Sequence, residues 1–380
     1  MADNQSSDVE LDGNQSKIVS SSSTSVLKRS IAETSKLPQI TSSSSASSSG
    51  SKRLRSLFGA ETSKLPQITS SSGPKPSKLL QLKYLSNTSD LPKLRVLSLF
   101  DGIGTGYYAL LKLGFDIEVF YASEIDKDAL TVTKHNFSDN IKQLGSVTEI
   151  TKKMLDEISP INLLFGGSPC SDLSGVNHRK RGLHDPEGTG ILFYEFYLIW
   201  EYLNGKASRA NTPFYWLFEN VASMENKNKD TISKFFECQP VVLDSLHLSP
   251  QRRKRYFWSS LPGIAMYADI QKDMYTFDAP KLDDYLEKNL DRQANVEVVG
   301  TITSKRSCLQ DSKSRNPVCQ DGKYTGLYIT EIEKIFGLPA HFTDVGDLSI
   351  SSRQKLLGRA WSVQVIMDVL RLLSNKFAKK

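Results

Sequence analysis

From about residue 94 onward, short apolar runs alternate with longer amphipathic stretches, and glycine, proline or a carboxylate marks most of the boundaries. The run Leu94-Arg-Val-Leu-Ser-Leu-Phe100 predicts a short buried strand. It leads into Asp101-Gly-Ile-Gly-Thr-Gly106, then a helical stretch over 107–113 that Gly114 closes. Residues 117–123 predict a second strand ending at Glu124, and a helix follows over about 126–136. Further strands are predicted at 161–165, 214–218, 240–246 and 255–258, with a long aromatic helix over about 191–203 and an amphipathic one over 365–373. Strands and helices alternating at this spacing imply a mostly parallel α/β sheet. Ligands of such sheets bind beyond the carboxyl ends of the strands. The polar residues at those ends are therefore the candidates for chemistry.

The first 80 residues break this pattern. They hold 24 Ser, one Phe (Phe58) and no Trp, Tyr or Cys. Such a segment cannot bury enough apolar area to offset its ordering entropy, so residues 1–90 are expected to be a disordered tail. The stretch 33–44 recurs as 61–72, a duplication too short and too polar for a solenoid. The tail carries net charge +4 of the chain's +6, with a basic cluster at Lys52, Arg53 and Arg55. That cluster can be a nuclear-import signal, a loose phosphate contact, or neither. No apolar stretch approaches the roughly 18 residues of a membrane span, and the first residues do not read as a secretory signal. The four cysteines (Cys170, Cys238, Cys308, Cys319) form no C-x-x-C pair, which excludes a disulfide scaffold and an ordinary Cys-based zinc module. No metal is expected.

Five motifs stand at or near the strand ends. In the glycine-rich turn 100–106, backbone N–H groups can approach a ligand closely, and the lack of Gly-Lys-Ser/Thr excludes a triphosphate P-loop. Glu124, about twenty residues on, stands where an acid accepts hydrogen bonds from ribose hydroxyls. Cys170 follows Gly166-Gly-Ser168-Pro169, a setting unlike that of an inert core cysteine, and a thiolate there is a nucleophile. Glu219 and Asn220 end the very apolar strand 214–218, where a carboxylate is expensive to bury without a task or a paired arginine. Arg253 and Arg255 alternate on a segment read as extended, so both point to one side and can grip phosphate or orient a carboxylate. A solvated charge run is the alternative. Gly358-Arg359-Ala-Trp361-Ser-Val363 heads the last helix, and its turn can complete a pocket.

The order of these motifs resembles a DNA (cytosine-5) methyltransferase, most closely the catalytic domain of the animal de novo enzymes. Phe193-Tyr-Glu-Phe-Tyr197, Tyr256-Phe-Trp258, Phe336-Gly-Leu-Pro339, Phe342-Thr-Asp344 and Gln354-x-Leu-Leu-Gly-Arg359 carry that closer likeness. It covers about residues 94–378, and the tail shows none of the chromatin-reading domains usual in that group. The resemblance implies a Rossmann-like S-adenosylmethionine-dependent sheet with helices on both faces, and a catalytic domain over 91–378. A small target-recognition insert is expected at about 263–324. It implies methyl transfer from S-adenosylmethionine to cytosine carbon 5 in CpG-containing duplex DNA, with the base flipped out of the stack. Cys170 would attack carbon 6, Glu219 would contact the ring nitrogen and exocyclic amine, and Arg255, with Arg253, would hold the base and Glu219. Phe100, Asp101, Gly102, Ile103, Thr105, Glu124, Ile125, Ser146, Val147, Arg359 and Trp361 would line the donor site. Ser168, Pro169, Val176 and Asn220 would meet the substrate, and Lys305 or Arg306 would read guanine or contact phosphate. Asp172 and Asn220 would support the catalytic loops.

The sequence departs from the family pattern at Ser146, where an acid usually contacts the adenine amine. It departs also at Ser171, where the de novo enzymes carry Asn, and at 184–187, which is about two residues longer. An accessory homologue that binds a partner methyltransferase, and an RNA methyltransferase, are the competing expectations. The kept Pro-Cys and Glu-Asn-Val residues oppose the first, and the short insert opposes the second. The resemblance further implies a nuclear location and a homo-oligomer or a hetero-oligomer with a related subunit. The exposed part of 193–197 is the candidate interface.

Overall fold

The computed structural model describes residues 91–175, 177–273, 280–304 and 316–380. The Ser-rich tail, Val176, Lys305 and Arg306 lie outside the described residues. Seven strands form one sheet: β1 (Leu94–Leu99), β2 (Ile117–Ser123), β3 (Ile141–Gln143), β4 (Leu163–Gly167), β5 (Tyr215–Val221), β6 (Val241–Asp244) and β7 (Lys254–Ser259). Their order is β3-β2-β1-β4-β5-β7-β6. All neighbours from β3 to β5 are parallel, while β7 runs antiparallel between β5 and β6. That reversal puts the N-terminal end of β7 beside the carboxyl end of β5, with Arg255 opposite Val221.

Alternation along the strands divides the interior in two. Val96, Leu163, Phe165 and Leu217 face one core, whereas Leu97, Leu164, Phe218 and Trp258 face the other. The first core is covered by α1 (Thr105–Lys112), α2 (Lys127–Phe137), α7 (Ile329–Ile335), α8 (Ile350–Arg359) and α9 (Val363–Arg371). The second is covered by α3 (Lys152–Ile158), α4 (Leu192–Ala210) and α5 (Asn226–Phe235). Helices thus lie on both faces, as the resemblance implied.

The insert begins with α6 (Ile264–Asp273) and contains a three-stranded antiparallel sheet of β8 (Arg292–Ala294), β9 (Val318–Gln320) and β10 (Lys323–Thr325). Arg292 ties it to α7: its guanidinium is buried, ion-paired with Glu331 at 2.7 Å, and lies 3.7 Å from the Tyr328 ring centroid. No helix among the described residues is long and apolar enough to cross a membrane.

The aromatic helix splits the segment 193–197 between core and surface. Phe193 and Phe196 are fully buried against Phe218 and Phe236, so they form core and offer nothing to a partner. Tyr194 and Tyr197 are half-buried and Leu198 is exposed. Tyr194 also hydrogen-bonds His184 Nδ1 at 2.8 Å. A helix at a sheet face needs its inward stripe apolar, and the first and fourth residues of Phe193-Tyr-Glu-Phe fall on that stripe.

Candidate functional site

Two groups of side chains gather at the carboxyl ends of the parallel strands. The first surrounds the turn from β1 into α1. Gly104, with φ of 74°, caps α1 in the left-handed region, where glycine meets no Cβ clash. Phe100 also has positive φ, 57°, a conformation that strains an aromatic residue and that functional turns tolerate. Glu124, just beyond β2, accepts from Gly102 N at 2.7 Å through Oε2 and from Ile125 N and Asp126 N at 2.8 Å through Oε1. It therefore pins the glycine turn to the end of the second strand. A carboxylate has about four acceptor positions, so capacity remains for a ligand hydroxyl.

Asp101 is the distinctive residue of this group. Its Oδ1 accepts from Ser98 Oγ at 2.5 Å, while Oδ2 is buried with no partner. Burial pushes its carboxyl up to about 7, Ser98 pulls the other way, and the nearby Glu124 adds to the rise. An orphaned buried carboxylate oxygen suits a cationic ligand group. Ile125, next to Glu124 in the chain, is 70% exposed and offers an apolar surface. Thr105 is buried at the start of α1, and the Ile103 and Val147 side chains belong to the two cores. Ser146 caps a single 3-10 turn, and its Oγ pairs with Thr148 Oγ1 at 2.8 Å. Arg359, at the end of α8, is ion-paired with Asp126 at 3.1 Å and largely exposed. These residues fit a ligand that carries ribose hydroxyls and a positive charge.

The second group joins β4, β5 and β7. Cys170 sits in the loop after β4. Asn220 holds that loop, its Nδ2 donating to Ser168 O at 3.1 Å and Ser168 Oγ at 3.2 Å. Asn220 is 1% exposed, and Oδ1 accepts from Val221 N, so its polar atoms are spent on bracing. Asp172 fastens the far side of the loop, accepting from Thr189 N at 2.7 Å, Thr189 Oγ1 at 2.9 Å and Arg181 N at 3.3 Å. Burial alone would raise its pKa, but these bonds hold it below the ordinary range. Ser168 is buried, and Pro169, like Cys170, is half-buried.

Glu219 is 8% exposed on β5. Its Oε1 is ion-paired with Arg255 Nε at 2.9 Å, and its Oε2 accepts from Trp361 Nε1 at 3.1 Å. Cys170, Glu219, Arg253 and Arg255 lie within electrostatic reach of one another. Burial pushes the Cys170 thiol above its ordinary value. Arg255 opposes that, Glu219 adds to it, and Arg253 opposes it. The thiol is therefore protonated at neutral pH until something lowers that barrier.

The two arginines divide their work. Arg255 orients the carboxylate. Arg253 is buried, and its guanidinium donates to the carbonyls of Ile302 at 2.9 Å, Gly358 at 3.1 Å and Ala360 at 2.8 Å. It binds the backbone at Ile302 to the turn that carries Trp361. Sequence spacing alone treated the pair as equivalent. It also missed the Trp361–Glu219 bond, whose partners stand 142 positions apart.

A family model described as C-5 cytosine-specific DNA methylase matches residues 94–295, just over half of the chain. An orphan methyltransferase, M.Rho11sI of Bacillus phage rho11s, is 38% identical over 141 residues, 37% of this chain and 25% of that one. A protein named DNA (cytosine-5)-methyltransferase DRM1, from Arabidopsis thaliana, is 33% identical over 125 residues, 30% of this chain and 20% of that one. The chain thus spans about a quarter or less of the length of these two relatives. Among solved structures, the Dnmt2 methyltransferase of S. pombe superposes with a TM-score of 0.54 at 18% identity. That match covers 74% of this chain and 99% of the other, a likeness of fold.

Proposed function

The chain belongs to the C-5 cytosine-specific DNA methylases, and on that premise we propose that it methylates carbon 5 of cytosine in duplex DNA through a covalent bond to Cys170. The observation that carries this reading is the placement of Cys170 on a loop braced by Asn220, within electrostatic reach of a Glu219 carboxylate already held on both oxygens.

The family's methyl donor is S-adenosylmethionine, which supplies an electrophilic methyl group on a sulfonium. Asp101, Glu124 and Ile125 would hold it, the open Asp101 oxygen meeting its amino group and Glu124 its ribose hydroxyls. Cytosine carbon 5 is too weak a nucleophile to take a methyl group unaided. The Cys170 thiol gives up its proton to solvent, the resulting thiolate adds to carbon 6, and the electron pair of the ring double bond becomes available at carbon 5. Glu219 gives a proton to the ring nitrogen, where negative charge collects as the sulfur adds, takes it back as carbon 5 gains the methyl group, and accepts from the exocyclic amine, while Arg255 keeps the carboxyl aimed. Once carbon 5 carries the methyl group, a base removes the proton there, the double bond reforms and the thiolate leaves. The target must leave the stack to reach the buried site.

The finer parts of this reading are a CpG target, de novo action, a nuclear location and assembly with a second methyltransferase subunit. The basic cluster at Lys52, Arg53 and Arg55 supports the nucleus, and the partly open Tyr194, Tyr197 and Leu198 face supports assembly. The test is incubation with methyl-labelled donor and duplex DNA, transfer RNA or neither. Label should enter DNA, and a duplex bearing 5-fluorocytosine should trap the wild type covalently. Cys170→Ala should trap nothing and transfer at least about a thousand-fold more slowly. Label in RNA alone overturns the DNA reading, and label in neither substrate supports an accessory role.

A further inference from the structure

We propose that Trp361 is a positioning residue for Glu219: its indole N–H fixes the second carboxylate oxygen, so the turn between α8 and α9 sets the group that meets the target base. The inference rests on the reading in which Glu219 contacts cytosine.

Each oxygen of Glu219 has a different holder. Oε1 has the Arg255 guanidinium at 2.9 Å, and Oε2 has the Trp361 indole at 3.1 Å. With one partner on each side, the carboxylate plane cannot turn without breaking a contact. The charged and titratable groups facing it are Arg255, Arg253 and the Cys170 thiol. Trp361 adds a directed donor without adding charge.

The surroundings are cut to admit this contact. Gly167, at the end of β4, lies so close that a Cβ there would stand 2.4 Å from Glu219 Oε2 and 3.4 Å from Trp361 Nε1. A side chain at 167 would push the pair apart. The indole itself packs on Phe165, with ring centroids 5.5 Å apart. Gly106 leaves room for that packing: a Cβ there would meet the Phe165 ring at 2.6 Å and Trp361 at 3.5 Å. Arg253 then fixes the backbone on the near side of the tryptophan by binding the carbonyls of Gly358 and Ala360. Four segments thus converge on one N–H. A phenylalanine would supply the packing but no donor.

The test separates the N–H from the ring. Trp361→Phe is compared with a protein carrying β-(3-benzothienyl)alanine at 361, an analogue of tryptophan in shape with sulfur in place of the N–H. Donor affinity, read by calorimetry, should stay within about threefold of wild type in both. Single-turnover methylation of duplex DNA should fall about tenfold in both, the scale of losing one hydrogen bond to a charged group. If the benzothienyl protein works at the wild-type rate, the residue acts through packing and the proposal fails while the proposed function stands. If the loss in rate follows an equal loss of donor affinity, Trp361 belongs to the donor site alone and the proposal again fails. A wild type that methylates no nucleic acid overturns the proposed function, and this inference with it.

Discussion

Two buried carboxylates at the same end of one sheet are finished in opposite ways. Glu219 has both oxygens occupied, by Arg255 and Trp361. Asp101 has one oxygen on Ser98 and the other buried without a partner. A closed carboxylate is a tool held in one orientation. An open one is half of an ion pair, and burial without a partner pushes its carboxyl up to about 7. Both loops are held by side chains that bond backbone: Glu124 accepts from N–H groups of the glycine turn, and Asn220 and Asp172 brace the Cys170 loop.

The largest expected effect breaks the comparison from the catalytic side. Glu219→Gln should cut single-turnover methylation by about a hundred- to a thousand-fold with donor affinity nearly unchanged, because an amide cannot transfer a proton to the ring nitrogen as negative charge collects there. Comparable loss of donor binding would mean that the two groups are not separate.

Asp101→Asn should do the reverse. Donor affinity at pH 8 should weaken roughly tenfold or more, as one charged interaction disappears. Stability should move the other way. The folded state keeps the Asp101 proton up to about pH 7, but the unfolded state loses it near 3.8. The folded protein therefore binds more protons in that window, and wild-type stability falls as pH rises through it. The asparagine variant lacks this slope. Its Tm should match wild type near pH 4 and exceed it at pH 8, as thermal melts across the range would reveal.

A smaller effect concerns the brace. Asn220→Ala removes hydrogen bonds to Ser168 and leaves buried groups unpaired, so unfolding should become easier by about 1–3 kcal/mol. Denaturant melts measure this directly. The smallest is chemical. The Cys170 thiol lies above its ordinary value of 9.0, so iodoacetamide labelling of that residue, followed by mass spectrometry, should climb with pH and show no plateau below about pH 9. A plateau near neutrality would mean that Arg255 outweighs burial.

Much of this arrangement was legible before any coordinates. The strands ending at Ser123 and Gly167 are apolar runs that lead into a carboxylate or into glycine and proline, and the strand ending at Val221 carries Glu219 and Asn220 in its last positions, so the signal is local. The helices at 152–158 and 226–235 escaped notice because α3 has only seven residues and α5 shows more charge than apolar stripe. The three-residue strands of the insert are too short for alternation to register.

The chain by itself determined which side chains stand at strand ends, since alternation and turn residues act over a few positions. It determined Cys170, Glu219 and Glu124 in that way. Only the tertiary structure decided what holds them. Arg253 reaches the turn carrying Trp361 more than a hundred positions away, and Trp361 reaches back 142 to Glu219. Contacts of that span depend on the antiparallel entry of β7 and on close packing at Gly167, which no local pattern encodes.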